Sequence, residues 1–96
     1  MYQIFLTKNA AKEIKKQGKQ FKTKAFEILQ NLALDPTPPL AERLTGELDF
    51  IYSYHFSFAG TSFRLAYTID KKNISITVIT VGPRENFYKI LRQKFK

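Results

Sequence analysis

Two neighbouring segments alternate strictly in side-chain character, and their phases interlock. From Phe50 to Phe58 the even positions Phe50, Tyr52, Tyr54, Phe56 and Phe58 are all aromatic, while Ser53, His55, Ser57 and then Ala59 are small or polar. From Ser62 to Ile69 the odd positions Phe63, Leu65, Tyr67 and Ile69 are apolar, with Ser62, Arg64, Ala66 and Thr68 between them. A strand sends successive side chains to opposite faces, so each segment has one apolar face. A tight turn at Ala59-Gly60 joins those faces by pairing Phe56 with Phe63, Tyr54 with Leu65 and Tyr52 with Tyr67. The same register sets His55 opposite Arg64, because a slip of one residue would turn Arg64 into the aromatic core.

This reading gives three strands, Leu48 to Phe58, Thr61 to Ile69 and Ile74 to Val81. A two-residue loop within Asp70-Lys71-Lys72-Asn73 pairs Ile69 with Ile74, Tyr67 with Ile76 and Leu65 with Val78, and places Thr68 by Ser75 and Ala66 by Thr77. The second face then carries only Ser, Thr and Ala around His55 and Arg64, which predicts a shallow trough. From Ile79 the pattern is apolar on both faces, so the end of this strand is expected to be covered on both sides.

The remaining elements must cover the apolar face. Residues 1–7 alternate as a strand. Thr7 or Asn9 is placed to cap a first helix with Ala10, Ala11 and Ile14 inward, ended by Gly18. A second helix carries Phe21, Ala25, Ile28, Leu29 and Leu32 on one face until Asp35-Pro36-Thr37-Pro38-Pro39 stops it. A last helix from about Arg84 turns Phe87, Ile90, Leu91 and Phe95 inward and Lys89, Arg92, Lys94 and Lys96 outward. The expected fold is a small α+β domain spanning residues 1–96, of order β-α-α-β-β-β-α, with a helical hairpin packed on a mainly antiparallel twisted sheet.

Ninety-six residues suffice for one core, burying roughly 60–70% of the unfolded surface. Sixteen basic residues against eight acidic ones give a net charge of +8, which favours an anionic partner, nucleic acid or an acidic protein. With no cysteine and one histidine, disulfides and zinc or imidazole-rich metal sites are not expected, and no cofactor is called for. The N-terminus meets Lys8 before any apolar core of a signal peptide forms, and no apolar run approaches the ~20 residues of a membrane span. The expectation is a cytoplasmic protein without a membrane partner.

Three segments in this order carry a resemblance: Arg43-Leu44-Thr45-Gly46-Glu47-Leu48, Ser62-Phe63-Arg64-Leu65-Ala66-Tyr67, and Val81-Gly82-Pro83-Arg84-Glu85-Asn86-Phe87-Tyr88. Together with the order of strand and two helices, they resemble the RelE/ParE superfamily of bacterial toxin–antitoxin toxins over nearly the whole chain. The resemblance implies a RelE-like, microbial-ribonuclease-like fold and a toxin neutralised by an acidic antitoxin. For RelE-like members it further implies metal-independent cleavage of messenger RNA in the ribosomal A site. There the 2′-hydroxyl attacks the adjacent phosphate and the 5′-oxygen leaves. Such chemistry needs a base, cations for the charge on phosphorus, and an acid for the leaving oxygen.

Carried over residue by residue, the resemblance assigns Arg64 to the scissile phosphate, a contact that guanidinium geometry suits. The plain alternative is an arginine paired across the sheet or to the antitoxin. Arg84 and Tyr88 lie four apart at the start of the last helix, hence on one side of it. Arg84 would join Arg64, and Tyr88 would stack on a base, orient the nucleophile, or simply pack beside Phe87. His55 stands where RelE-like enzymes commonly have lysine or arginine, and Ser57 where another cation is often found. Imidazole titrates near neutral pH, so His55 is a candidate acid or base as well as a candidate strand residue in solvent. Glu47 and Glu85 are the alternative bases. Arg43, Lys89, Arg92 and Lys94 are the candidate nucleic-acid contacts, with the lysines of residues 8–16 a further basic face for ribosomal RNA. Three classes stay open: a ribosome-dependent ribonuclease that inhibits translation, a ParE-like DNA gyrase inhibitor, and an antitoxin-binding module without catalysis.

Overall fold

The computed structural model describes residues 1–83, 85 and 87–94, residue 94 for its backbone only. The elements run β1 (Gln3–Leu6), α1 (Lys8–Lys16), α2 (Lys19–Leu34), β2 (Ala41–Arg43), a 3-10 turn at Gly46–Leu48, β3 (Tyr52–Phe58), β4 (Thr61–Asp70), β5 (Ser75–Pro83) and α3 (Phe87–Lys94). The five strands form one sheet in the order β1-β5-β4-β3-β2, antiparallel except where β1 lies parallel to β5. This is the expected α+β architecture with one added edge strand, β2.

The first hairpin has the predicted register. Tyr52 pairs with Tyr67, Tyr54 with Leu65, His55 with Arg64 and Phe56 with Phe63. Its turn residues Ala59 and Gly60 both have positive φ, 50° and 79°, the twist that lets a two-residue loop close without splaying the strands. The aromatic face closes around Phe21 of α2, whose ring lies 4.8 Å from Phe63, 5.2 Å from Phe58 and 5.8 Å from Phe56. Ala10 and Ile14 of α1 and Ala25, Ile28, Leu29 and Leu32 of α2 complete this principal core with Leu65, Tyr67, Ile76 and Val78. Of the two proposed caps for α1, Thr7 is the one used: its Oγ1 accepts from the Ala10 N–H at 3.1 Å.

Two expectations about the strands are corrected. The strand does not begin at Leu48; residues 46–48 form the 3-10 turn and Phe50 is about half exposed outside the sheet. In the second hairpin Ile69 pairs with Ile76, Tyr67 with Val78, Thr68 with Thr77 and Ala66 with Thr80, so the two-residue loop is not formed. Asp70 instead accepts from the Asn73 backbone at 3.1 Å and its side-chain amide at 2.8 Å, and Ile74 takes the positive φ that a tight turn would have imposed on the lysines. These bonds hold the exposed Asp70 carboxyl below its ordinary pKa, the Asn73 side-chain bond contributing most. A shift of two preserves which side chains face the core, which is why alternation alone cannot detect it.

The pairing is shifted between Ala66 and Tyr67, where Ile79 is the extra residue of a bulge in β5. Beyond the bulge Val81 faces the principal core while Ile79 joins a second, smaller one with Ile51, Ala66, Phe87 and Leu91. Thr7 Oγ1 donates to the Ile79 carbonyl at 2.7 Å and Thr80 Oγ1 to Asn9 Oδ1 at 2.7 Å, so the start of α1 grips the bulge. The trough is therefore only partly open. Its middle, Ser53 and Ala66, is fully buried under α3, while Ser57 and Ser62 at one end are exposed and Thr68, Ser75 and Thr77 at the other are half-buried. In α3, Phe87 and Leu91 are inward as expected but Ile90 is about half exposed, because Tyr88 packs on the second core in its place. Phe95 and Lys96, and the predicted helix start at Arg84, lie outside the described residues.

Tyr67 shows how the proline loop is held. Its buried hydroxyl donates to the Pro36 carbonyl at 2.6 Å, and burial, aided by Tyr52, Asp35 and Tyr54, pushes its pKa above the ordinary phenol range. Replacing Tyr67 with Phe is expected to cost about 1–2 kcal/mol in denaturant unfolding near neutral pH. The folded pKa is raised, so the wild type keeps this contribution below the unfolded value near 10 and loses it as pH climbs beyond that. An equal alkaline decline in Tyr67→Phe would assign it to other groups.

Candidate functional site

Pairing across β3 and β4 fixes the centre of the site. Arg64 is 8% exposed, and its Nη1 lies 2.5 Å from His55 Nε2 and 3.2 Å from Nδ1. The imidazole edge thus runs along the guanidinium. Glu42 of β2 comes within 3.3 Å of the same Nε2 through its Oε2. That nitrogen lies between two opposite demands, since a lone pair suits Arg64 and a proton suits Glu42.

α3 supplies the roof. The Arg64 guanidinium carbon sits 5.2 Å from the Tyr88 ring centroid, within the range of a cation–π contact, and Tyr88 in turn meets Phe87 edge to face at 5.5 Å. Phe87 and Leu91 hold the helix through the second core, each contributing about 1.5–3 kcal/mol by burial. An eight-residue helix has little stability of its own, so Tyr88 is positioned by that packing. Two buried groups have no hydrogen-bond partner among the described residues, Arg64 Nε and Ser53 Oγ.

Beside this cluster opens a groove of about 1080 Å³. One wall is Glu42 to Leu48 with Phe50, and the other is Tyr88, Lys89, Arg92 and Gln93 of α3. Arg43 is anchored at the rim, its Nε donating to the Asp49 carbonyl at 2.6 Å and its Nη2 lying 3.9 Å from the Asp49 carboxylate. Lys89 and Arg92 are exposed across from it, giving the groove three cations and two aromatic rings. A smaller pocket of about 350 Å³ lies at the open end of the trough, lined by Leu40, Ser57 and Ser62 with His55 and Arg64 at its floor.

Of the residues singled out by sequence, the structure brings together His55, Arg64 and Tyr88, and sets Arg43, Lys89, Arg92 and Glu47 around the adjoining groove. Glu85 is exposed in the turn before α3 and does not line the groove. Arg84 lies outside the described residues, as does the Lys94 side chain. Sequence reasoning misses Glu42. Three residues with one apolar member carry no strand signal, yet β2 pairs Glu42 with Ser53, one step along β3 from His55 on the same face. Phe50, expected on the aromatic strand face, lines the groove instead.

The contact between Tyr88 and Arg64 is testable by chemical access. Glyoxal reagents should label Arg64 several-fold faster in Tyr88→Ala than in the wild type, with little change in Tyr88→Phe, as read by mass spectrometry. Equal labelling in all three proteins would mean that the ring does not cover the guanidinium.

Comparison with known proteins places this geometry. The family model described as "ParE-like toxin of type II bacterial toxin-antitoxin system" matches residues 4–92. Among solved structures, the RelBE2 toxin-antitoxin complex from Mycobacterium tuberculosis superposes with a TM-score of 0.71 at 24% identity, covering 86% of this chain and 98% of that one. The isolated E. coli RelE toxin matches over 100% of both chains with a TM-score of 0.68 at 21% identity. A metal-bound toxin from Helicobacter pylori gives 0.70 at 24% identity, over 91% of this chain and 99% of that one. At these identities the structural likeness establishes the fold. No curated protein matches in sequence. With the family model spanning nearly its whole length, the chain belongs to the ParE-like toxins of type II bacterial toxin–antitoxin systems, within the RelE/ParE superfamily.

Proposed function

We propose that this toxin is a ribosome-dependent endoribonuclease that cleaves messenger RNA without a metal and is neutralised by an acidic antitoxin. The observation that carries the reading is the contiguity of Glu42, His55, Arg64 and Tyr88 at the edge of a groove rimmed by Arg43, Lys89 and Arg92. A carboxylate, an imidazole, a guanidinium and a phenol within one cluster supply each role that phosphodiester transesterification requires. In this reading His55 accepts the 2′-hydroxyl proton, and Glu42 balances the imidazolium that forms. The 2′-oxygen attacks phosphorus, Arg64 stabilises the developing negative charge, and the bond to the 5′-oxygen breaks. Tyr88 moves off the guanidinium as the phosphate arrives and gives its proton to the departing oxygen. The products are a 2′,3′-cyclic phosphate and a 5′-hydroxyl. Rim cations hold the flanking phosphates, and Phe50 offers a face on which a base stacks. Complexes of RelE-type toxins with their antitoxins support the partner, as does the net charge of +8.

A second reading, inhibition of DNA gyrase, is favoured by the ParE-like description of the family model and by the near-complete burial of Arg64. It needs no catalytic cluster. Pulsed induction of the wild type, Arg64→Ala and His55→Ala in a bacterial host separates the two when message ends and DNA supercoiling are followed together. New ends within translated codons are expected with the wild type, reduced about 10²-fold or more in either variant. Intact messages with altered supercoiling would replace the ribonuclease by the gyrase reading, and neither change would leave an antitoxin-binding module.

A further inference from the structure

The two openings beside the cluster differ in what they reach. The larger groove is lined by Glu42, Tyr88 and the rim cations but by neither His55 nor Arg64, whereas the smaller pocket has both in its lining. Tyr88 covers the guanidinium from the side of α3. A phosphate held by Arg64 therefore has the groove on one side of it and the small pocket on the other. An RNA strand passing through that point leaves one nucleoside toward each.

The small pocket is built from the end of the first hairpin. Ser57 and Ser62 face each other in the β3–β4 ladder, two residues beyond the His55–Arg64 pair on the same face, and both are exposed. Directly opposed residues bring their Cβ atoms within about 4.5–5.5 Å, so the two hydroxyls lie side by side. Among the described residues neither hydroxyl has a hydrogen-bond partner. Phe56 and Phe63 turn their rings to the principal core and give the pocket only their backbone. Leu40 closes the side toward β2 with its side chain 58% exposed, and its carbonyl accepts from the His55 backbone N–H at 3.2 Å, which fixes it against β3.

Charge separates the openings further. The groove carries Arg43, Lys89 and Arg92, whereas the described lining of the pocket has no lysine and no arginine but Arg64. A second phosphate would find no cation of its own there. Two hydroxyls, each a donor and an acceptor, beside an exposed leucine instead match the polar edge and the apolar face of an unstacked nucleobase. The pocket volume of about 350 Å³ is of nucleoside size. We infer that Ser57, Ser62 and Leu40 form a pocket for the base next to the phosphate on Arg64, and that the two serines determine which base is accepted there. The inference rests on the ribonuclease reading for the bond that is cut, and it assigns base preference to one position of the message. The groove grips its side of the strand through phosphates and ring stacking, which tolerate any sequence.

The probes are the four nucleoside 3′-monophosphates, the four 5′-monophosphates and inorganic phosphate, titrated into the isotope-labelled chain and followed by backbone amide shifts. In one nucleotide series the Ser57 and Ser62 amides should move saturably, with at least about fivefold between the strongest and the weakest base, the scale of one neutral hydrogen bond. Ser57→Ala/Ser62→Ala should bring the four bases within about twofold of one another, and Leu40→Ala should weaken all four together. Shifts alike for every base and for inorganic phosphate would reduce the pocket to an anion site at Arg64 and overturn the inference. A base preference that the double variant keeps, or shifts confined to the groove, would overturn it equally. Message-end mapping separates this result from the fate of the ribonuclease reading. Base-selective binding with no new ends from the wild type would keep the pocket and reject the nuclease, whereas new ends with base-blind binding would do the reverse. Where both stand, enrichment of one base at one position beside the cut falls at least about fivefold in the double variant.

Discussion

Withdrawing a guanidinium from water costs several kcal/mol unless other groups replace the lost hydration, and the surroundings of Arg64 are arranged around that cost. Its partners are His55 along one edge and the Tyr88 ring above, while Nε has none among the described residues. The compensation is incomplete, and Ser53 Oγ is likewise unsatisfied. An anion reaching Arg64 would supply the hydrogen bond that the described residues do not give Nε. Tyr88 is the part able to yield, because a cation–π contact is weaker than a charge-assisted hydrogen bond to phosphate.

The burial of Arg64 depends in turn on one extra residue in β5. Without the bulge at Ile79, Ile79 and Val81 would point to the same face, and the second core would lose a member. The bulge makes one strand serve both cores, Val78 and Val81 on the side of the helical hairpin and Ile79 on the side of α3. Thr7 stabilises both ends of this device. Its hydroxyl caps α1 and donates to the bulged residue's carbonyl, tying the first helix to the strand that carries the last.

How far the sequence discloses this follows from what a period of two can encode. The β3–β4 register is legible because an odd slip would bury Arg64 among the aromatic rings, and so alternation by itself sets His55 against Arg64. From Tyr67 to Ile69 the β4–β5 register read the same way is off by two, an error that leaves every side chain on its proper face, and at Leu65 and Ala66 the bulge makes the offset three. The bulge shows in the sequence only as a run that turns apolar on both sides after Ile79. The helix α3 is legible but its reach is not, and so a face of Ser53 and Ala66 reads as an open trough when small residues there make room for a helix. Glu42 is out of reach because its strand is three residues long and owes its form to β3. Arg84 rests on the sequence alone.

The two charged surfaces impose different demands, and the residue types follow them. At the site the cations are mainly arginines, Arg43, Arg64 and Arg92, whose planar forks can be fixed by neighbours as Arg43 is by Asp49. On the helical hairpin all seven are lysines, flexible point charges with no carboxylate in ion-pair reach on α1 among the described residues. Arginine suits a phosphate that must be held at one position and angle, as bond cleavage demands, whereas lysine suits a backbone that need only be followed. The same division explains how a chain of this size can carry +8 without spoiling its chemistry. Lysines crowded around Arg64 would add repulsion to a guanidinium already costly to bury, and on the far side of the sheet they leave that site undisturbed.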